Sequence, residues 1–301
     1  MELRHLRYFV AVVEAGSLTV AAEKRLHTSQ PSLSRQIRDL EQEVGVTLLT
    51  RSVTGVTLTA AGRAFLDHAR LALAQVEAAQ EAARRAAQPA RQSFAVGFLT
   101  GVEIEWLPAV TRVLRAELRT LEMSVTSDYS PDLADALLRG RLDCAILRVE
   151  PQFTELTFVP IAKEPLVVLM PSDHPLAARE TVDPKSLEGE RFIGGSKKAA
   201  VLRSVTEEYF RQAGLAITLS HGVDNIATAI SLVASTRGLS LMPAYARNLL
   251  PWSVVSRPLA GEAPTIELAV GYSKSNGSPL LRLFLSRLDE LRALAVQTAP
   301  H

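Results

Sequence analysis

The sequence predicts an α/β protein that begins with a helical domain, and three observations lead to this class. Residues 17–41 contain two short amphipathic helices that meet at a tight turn, and a single long helical stretch follows over residues 59–88. From residue 91 onwards, segments with strand character alternate with helical segments, a pattern typical of a parallel sheet with helical crossovers. At 301 residues, the chain has room for two or three domains.

The composition is that of an ordinary soluble protein. The chain has a net charge of +1, 47% hydrophobic residues and 22% charged residues. Its first residues are charged where a signal peptide needs an apolar run, and no stretch of 18 apolar residues occurs. The single cysteine, Cys144, cannot form an internal disulfide and lies in an apolar run. We therefore expect a cytoplasmic protein without membrane contact, in which Cys144 is a buried core residue.

The helices of residues 17–41 have the pattern of a helix-turn-helix. Ser29 is placed to cap the second of them, and Pro31 falls in its first turn, where a missing N–H group costs nothing. The inward face of this helix carries aliphatic residues at helical spacing, at Leu33, Ile37 and Leu40. Residues suited to contact base edges or phosphates, or to set the start of the helix, are Ser29, Gln30, Pro31, Ser34, Arg35 and Arg38. We expect this helix to enter the major groove of double-stranded DNA.

A wing is predicted after the helix-turn-helix. Residues 46–58 contain alternating apolar residues on either side of a turn at residues 52–55, which indicates a two-stranded hairpin. The tip, Thr54-Gly55, has no basic side chain that would enter the minor groove. For Arg51, which precedes the turn, the sequence leaves two roles open: contact with a DNA phosphate, or support of the hairpin against the preceding helix.

The long helix predicted from Thr59 to about Gln88 has the signature of helix pairing. Apolar residues recur at alternating spacings of four and three, at Phe65, Ala69, Ala72, Val76, Ala79 and Ala83. Alanine in such a seam lets two helices approach closely, so we expect a homodimer formed through this helix. Pro89 should end the helix and form a hinge. The predicted domains are a DNA-binding domain at 1–58, a dimerising linker and hinge at 59–90, and a third domain at 91–301.

These segments together resemble the LysR-type bacterial transcriptional regulators. The resemblance is dense over about the first sixty residues and is carried by Met1–Phe9, Ala21-Ala22, Ser29–Ser34, Leu40-Glu41, Gly45, Leu48-Leu49, Arg51 and Leu58–Gly62. Within the family, the chain is most similar to the branch that controls aromatic-acid catabolism, such as the phenylpropionate, muconate and chlorocatechol regulators. Beyond residue 90, the similarity is one of layout.

The resemblance implies a transcription regulator with a winged helix-turn-helix, a linker helix and a two-lobed effector domain like that of periplasmic solute-binding proteins. It implies promoter DNA and a small organic acid as partners, and a dimer of dimers, that is, a homotetramer. RNA polymerase is a further candidate partner, and no cofactor is expected.

One departure from the family pattern lies in the first helix of the helix-turn-helix. Glu23, Lys24 and Arg25 separate Ala22 from Leu26, where the family has two residues. The insertion moves Leu26 from i+3 to i+4 relative to Ala22, and both spacings face the same side of a helix. A longer turn or a small bulge would absorb the extra residue. The sequence leaves open whether this residue is harmless or alters how the reading helix docks on DNA.

In sheets of this kind, ligands bind at the carboxyl ends of the strands, and the first lobe offers three such places. Thr100 and Gly101 end the first strand and precede a helix, whose N–H groups favour an anion. Ser130 starts the next helix, either as a cap or as a ligand of a carboxylate. Arg148 ends a strand and either points towards the cleft or pairs with Glu150.

The second lobe offers Ser196 and Lys197, which follow two glycines and precede a helix, as in anion-binding loops. Asn225 lies at the next junction of strand and helix, as a ligand or as a plain cap. By resemblance, Phe158 takes the position of an arginine that contacts the ligand in muconate-type regulators, which argues against muconate itself. Together these residues predict a small aromatic or unsaturated carboxylic acid as the effector.

No catalytic or metal-binding pattern accompanies these residues. The six histidines are scattered without a pair at metal-ligand spacing, and neither a nucleophile elbow nor a Rossmann glycine motif occurs. A free-standing solute-binding protein is the alternative for residues 91–301, but it would need a signal peptide. The sequence leaves open which acid binds, which promoter is the target, and whether transcription is activated or repressed.

Overall fold

The computed structural model describes residues 1–52, 55–87, 92–117 and 121–298. The chain forms two compact units, Met1–Arg84 and Arg85–His301. The predicted wing-tip residue Thr54 and the predicted hinge at residues 88–90 lie outside the described residues.

The first unit begins with a helix-turn-helix and a hairpin, as the sequence predicts. Its elements are α1 (Leu3–Ala15), α2 (Leu18–Val20), a π-helical turn (Ala21–Leu26), α3 (Gln30–Val44), β1 (Leu49–Ser52), β2 (Gly55–Leu58) and α4 (Ala60–Ala87). Antiparallel pairing of β1 with β2 makes the wing. The first strand starts at Leu49, later than the alternation from residue 46 suggested, and Val46 is exposed.

One apolar face of each helix forms the core of this unit. Fully buried side chains from α1, the π-helical turn and α3 are Phe9, Val12, Ala21, Ala22, Leu33, Ile37 and Leu40. The first turns of α4 pack on the same core, where the Phe65 ring meets the Phe9 ring edge-on with ring centroids 5.2 Å apart. Gly62 permits this close packing, because a Cβ atom at that position would lie 2.0 Å from the carbonyl oxygen of Leu48.

The apolar stripe predicted along α4 therefore divides into two parts. Ala69 and Ala72 pack against the core of the first unit. Val76 is half-buried, and Ala79 and Ala83 are exposed. The second part of the stripe is the surface that remains for pairing with another helix, and dimerisation through α4 stays a prediction.

A π-helical turn absorbs the extra residue in the first helix of the helix-turn-helix. The His27 N–H group donates to the carbonyl oxygen of Ala22, five residues earlier, whereas an α-helix would use the fourth. Ala21 and Ala22 stay buried, while Lys24 and Arg25 are exposed. The insertion thus widens one turn of this helix, and the same apolar residues still face the core of the first unit.

The second unit alternates strands and helices. Its elements are β3 (Gln92–Leu99), α5 (Glu103–Val113), β4 (Leu121–Asp128), α6 (Ser130–Leu138), β5 (Cys144–Leu147), β6 (Leu156–Pro171), β7 (Arg191–Gly195), α7 (Ala200–Gln212), β8 (Thr218–Val223), α8 (Ile226–Thr236), β9 (Ser240–Pro243), β10 (Val254–Pro258), β11 (Thr265–Ser273), α9 (Pro279–Ser286) and α10 (Leu288–Thr298). The sequence did not predict β10, and it predicted α9 and α10 as one helix.

The main sheet of the second unit is mixed rather than parallel. Its strands run in the order β10-β6-β11-β5-β3-β4 with β9 paired to β6, and β7 and β8 form a separate two-stranded sheet. As predicted, β3 is parallel to β4 and β5, but β11 is antiparallel to β5 and β6. The prediction of a parallel sheet was wrong for these strands, because hydrophobic periodicity identifies a strand without giving its direction.

Two lobes result, one around β3, β4 and β5 and the other around β7, β8 and β9, with β6 and β11 running through both. Along β6, Val167 and Leu169 face one buried cluster, and Leu166 and Val168 face the other, as alternate residues of a strand do. Cys144 is buried in β5, as predicted, and burial raises the pKa of its thiol. Among the described residues, no helix is both long and apolar enough to cross a membrane.

Candidate functional site

The exposed side of α3 carries three of the predicted DNA-contacting side chains. Gln30, Arg35 and Arg38 are exposed, and the Arg35 side chain is 79% exposed. The Nε atom of Arg35 lies 4.0 Å from Oδ2 of Asp39, a long surface contact that holds the guanidinium only weakly. This cation is therefore available to a base edge or a phosphate.

Ser29 and Pro31 set the start of α3. The Ser29 hydroxyl oxygen accepts a hydrogen bond from the Ser32 N–H group over 3.4 Å, and Pro31 lies in the first turn. Ser29 is thus the N-cap that the sequence predicts. The exposed helix start that follows offers backbone N–H groups to an anion such as a DNA phosphate.

Ser34 and Arg51, both predicted to contact DNA, contact each other. The Arg51 guanidinium donates from Nη1 to Ser34 Oγ over 2.9 Å, and its Nη2 lies 3.9 Å from Oε2 of Glu41. Ser34 is only 9% exposed. Of the two roles left open for Arg51, the geometry gives it support of the wing against α3, and contact with a phosphate stays a prediction.

Glu41 is a positioning residue that the sequence reasoning missed. Its Oε1 atom accepts hydrogen bonds from the N–H groups of Leu48 and Leu49, over 2.8 and 3.0 Å. One carboxylate near the end of α3 therefore holds the start of the wing and faces Arg51 as well. Only the structure distinguishes Glu41, which is half-buried, from the other acids of α3, Asp39 and Glu43, which are exposed.

In the second unit, a cleft opens beside the ends of several strands and encloses about 640 Å³, including its mouth. Three helices begin at this cleft: α6 with Ser130, α7 with Ala200 and α8 with Ile226. The positive ends of three helix dipoles and their free N–H groups thus face one space. Its apolar wall includes Leu99, Val201, Leu202, Val223, Met242, Tyr245 and Ile266.

Four of the predicted effector residues line this cleft, namely Thr100, Ser130, Arg148 and Asn225. The Ser130 hydroxyl oxygen accepts a hydrogen bond from the Arg148 N–H group over 3.1 Å. Asn225 caps α8 through Oδ1, which accepts from the Thr228 N–H group over 2.8 Å. Capping and a position in the cleft therefore coincide at Asn225, where the sequence offered them as alternatives.

The structure does not place Gly101 at the cleft surface. Gly101 has a φ of +92°, which suits glycine, and its N–H group donates to Oε2 of Glu103 over 2.7 Å. The Glu103 carboxylate therefore accepts the hydrogen bond that the Gly101 N–H group was expected to donate to a ligand anion. The neighbouring Thr100 does line the cleft.

The other three predicted residues also lie off the cleft. Ser196 is engaged internally, since its hydroxyl donates to the carboxylate of Asp224 and accepts from the Lys198 N–H group. Lys197 is exposed without lining the cleft, and Phe158 packs beside Gly271 where β6 pairs with β11. Which way these side chains point depends on the loop and strand geometry, which the sequence pattern does not specify.

The Arg148 side chain is bound inside the protein. Its Nη2 donates to Oε2 of Glu164 over 2.6 Å, and its Nη1 donates to the Glu267 carbonyl oxygen over 3.0 Å. The partner is thus Glu164 rather than Glu150, which was one of the two alternatives that the sequence left open, and the Arg148 and Glu164 side chains are only 5% and 12% exposed. Burial raises the pKa of the nearby Tyr245 to about 12, although the Arg148 charge lowers it.

Lys198, Tyr129 and Glu150 line the cleft without having been predicted to do so. Lys198 is exposed, and its Nζ atom lies 5.1 Å from the centroid of the Tyr129 ring, a cation–π contact. The Tyr129 hydroxyl oxygen accepts a hydrogen bond from Asn225 Nδ2 over 3.2 Å. Tyr129 and Lys198 are each adjacent in sequence to a predicted effector residue, since Tyr129 precedes Ser130 and Lys198 follows Lys197.

The cleft is equipped to hold an anionic head group and an apolar body. Lys198, the Thr100 hydroxyl and the helix starts suit the head group, and the aliphatic wall suits the body. Within the described part of the chain, no three histidine, cysteine or acidic side chains are grouped so as to hold a metal ion.

Comparisons with known proteins agree with this architecture. Residues 3–63 match the family described as "Bacterial regulatory helix-turn-helix protein, lysR family", and residues 87–293 match the "LysR substrate binding domain". The chain therefore belongs to the LysR family of transcriptional regulators. It is a DNA-binding regulator with an effector-binding domain, and its relatives are regulators rather than enzymes.

The chain is similar to individual regulators over almost its whole length. It is 38% identical to the Hca operon transcriptional activator HcaR of Escherichia coli (strain K12), over 96% of this chain and 98% of that protein. It is 34% identical to the regulator AlsR of Bacillus subtilis (strain 168), over 95% and 94%. The crystal structure of CbnR, a LysR family transcriptional regulator, is 28% identical with a TM-score of 0.58 and covers 96% of this chain and 100% of that one. CbnR has also been solved in complex with its target DNA, with a TM-score of 0.56, 28% identity and coverage of 98% and 100%.

Proposed function

We propose that this regulator is switched by a small aromatic or unsaturated carboxylic acid bound in the cleft between the lobes. The observation that carries the proposal is the convergence of three helix starts on one space, together with the lysine Lys198 and the hydroxyl of Thr100. A carboxylate suits donors and positive dipole ends better than any neutral head group does.

The body of the acid is inferred from the wall of the cleft. Leu99, Val223 and Met242 supply aliphatic surface, and the Tyr245 ring adds an aromatic face. The resemblance to regulators of aromatic-acid catabolism supports a flat, unsaturated body.

For DNA recognition, we propose that Gln30, Arg35 and Arg38 read bases and phosphates in the major groove. The start of α3 at Ser29 and Pro31 would fix the angle of entry. Two copies of the reading helix are needed for two half-sites, and pairing of α4 would bring them together. We propose a dimer through the linker at residues 59–90, and a dimer of dimers in the complete assembly.

The switch would be a shift in population between two arrangements of the lobes. An acid that contacts Thr100 on one lobe and Lys198 on the other favours the arrangement in which both contacts form. Because residues 59–90 connect the lobes at 91–301 to the reader at 1–58, a change in the lobes would alter the spacing of the DNA-reading helices.

Two neighbouring lysines provide a matched test of the binding site. Lys198 lines the cleft and Lys197 does not, although both are exposed. A thermal-shift screen of aromatic and dicarboxylic acids against the full-length protein should find acids that stabilise it. Lys198→Met and Thr100→Val should each reduce the affinity for such an acid by about ten-fold, since each removes a donor to the carboxylate.

The Lys197→Met variant is the control and should bind the acid as the unaltered protein does. All three variants should bind operator DNA normally when no acid is present. Equal loss of affinity in Lys198→Met and Lys197→Met, or full affinity in Thr100→Val, would place the binding site elsewhere.

A further inference from the structure

One carboxyl group in the wall of the cleft has no cationic partner. Glu150 lines the cleft and is only 5% exposed. Its Oε2 atom accepts a hydrogen bond from Gln152 Nε2 over 2.7 Å, and among the described residues no other side chain bonds to its carboxyl group. Burial raises the pKa of this carboxyl, and the Gln152 hydrogen bond only partly offsets the effect.

The two cations of the cleft are engaged elsewhere. The Arg148 guanidinium is held by Glu164 and by a backbone carbonyl. The Lys198 ammonium lies over the Tyr129 ring. Neither of them lies within ion-pair distance of Glu150 in the described part of the chain, so its Oε1 atom stays an acceptor without a protein donor.

This Oε1 atom is not enclosed by protein atoms, since Oε1 of Gln36 is the one enclosed side-chain oxygen or nitrogen of the described residues that has no hydrogen-bond partner. It is therefore open to a hydrogen-bond donor that enters the cleft. We propose that the effector supplies it, and that the effector is a hydroxylated aromatic or unsaturated carboxylic acid whose hydroxyl group donates to Glu150. The inference rests on the proposed function, because the helix starts and Lys198 must hold the carboxylate end for the hydroxyl to reach the wall.

A hydroxyl fits this position better than an ammonium group does. The Glu150 carboxyl already receives one neutral donor from Gln152, and the wall of the same cleft includes the apolar Leu99 and Ile266. Moving a neutral hydroxyl group from water into this wall costs less free energy than moving a charged group. Glu150 thus acts as a specificity residue, which selects among acids that share the same head group and ring.

The experiment compares three forms of each acid with the full-length protein. Benzoic, cinnamic and 3-phenylpropanoic acids are measured by calorimetry beside their ring-hydroxylated forms and the corresponding methyl ethers. The hydroxyl donates a hydrogen bond, whereas the ether oxygen at the same place only accepts one. At least one hydroxylated acid should bind about ten-fold tighter than both its parent and its ether.

The Glu150→Gln variant should lose this preference, because the amide keeps the size of the side chain but not the charge of the acceptor. It should still bind the parent acid as well as the unaltered protein does, which shows that the variant is folded. A control outside the cleft lining, Glu155→Gln, should leave the preference intact.

The outcomes separate the two proposals. If parent, ether and hydroxylated acid bind equally, and Glu150→Gln changes nothing, the assignment of a hydroxylated effector is overturned while the carboxylic acid site stands. The proposed function is contradicted if no acid of any form binds, or if Lys198→Met binds all of them normally. The inference about Glu150 is then contradicted as well, because it rests on the proposed function.

Discussion

The Arg51 guanidinium donates a hydrogen bond to Ser34 Oγ over 2.9 Å, and this contact joins the first strand of the wing to the reading helix. Two residues that sequence pattern assigns to DNA are thus each other's partners. Ser34 is buried, whereas the Arg35 side chain beside it is 79% exposed. Ser34 therefore has a structural role, and contact with DNA stays a prediction for its neighbour Arg35.

The first prediction separates these tasks by substitution. Arg35→Ala should weaken operator binding by about 1–3 kcal/mol and relax the sequence preference, because a base-reading cation is lost. Ser34→Ala should instead lower the stability of the domain by about 1–2 kcal/mol, since Arg51 loses a buried acceptor, and should leave the preferred sequence unchanged.

Binding-site selection measures the preferred sequence, and urea denaturation measures the stability. Unchanged selectivity in Arg35→Ala would remove this residue from the base-reading set. A changed consensus in Ser34→Ala would mean that Ser34 turns outward when DNA binds.

A second prediction concerns dimerisation through α4. Val76→Glu should put like charges across the paired helices, give monomers in light scattering, and weaken operator binding as one half-site is lost. Ala72 is a poorer position for this test, because it packs against the core of the first unit and its substitution would also unfold the domain.

Ala82→Glu is the matched control, since Ala82 is exposed on α4 and lies off the stripe. It should remain dimeric with normal operator affinity. A dimer in Val76→Glu with the same affinity as this control would show that the stripe is not the interface.

A third prediction concerns the π-helical turn. Removal of Lys24 should convert this turn to an ordinary α-helical one, because Ala22 and Leu26 would again be three residues apart and on the same face. The thermal midpoint should be unchanged or higher, and operator affinity should stay within about three-fold, since DNA-reading residues are untouched.

Removal of Asp39 provides the comparison, because α3 has no widened turn to absorb it. That deletion should rotate the buried Leu40 away from the core and destabilise the domain strongly. If removal of Lys24 keeps the thermal midpoint but abolishes specific binding, the extra residue sets the docking angle of the reading helix.

Much of the first unit follows from the sequence alone. Ser29, Pro31 and the spacing of Leu33, Ile37 and Leu40 determine α3, because caps and amphipathic faces depend on residues within a turn or two of each other. The sequence also shows the insertion at Glu23–Arg25, because the family pattern has one residue fewer between Ala22 and Leu26. Only the structure decided that a π-helical turn absorbs it, since both spacings satisfy the same face.

In the effector domain, the sequence predicted most of the strands and helices and four of the residues that line the cleft. It did not determine the direction of β11, the Glu164 partner of Arg148, or the occupation of the Gly101 amide by Glu103. Contacts such as that between Asn225 and Tyr129 join residues 96 positions apart. Local pattern carries no information about which distant loops pack together, so tertiary packing alone decided that Lys198 and Glu150 share a cleft while Lys197 and Ser196 lie outside it.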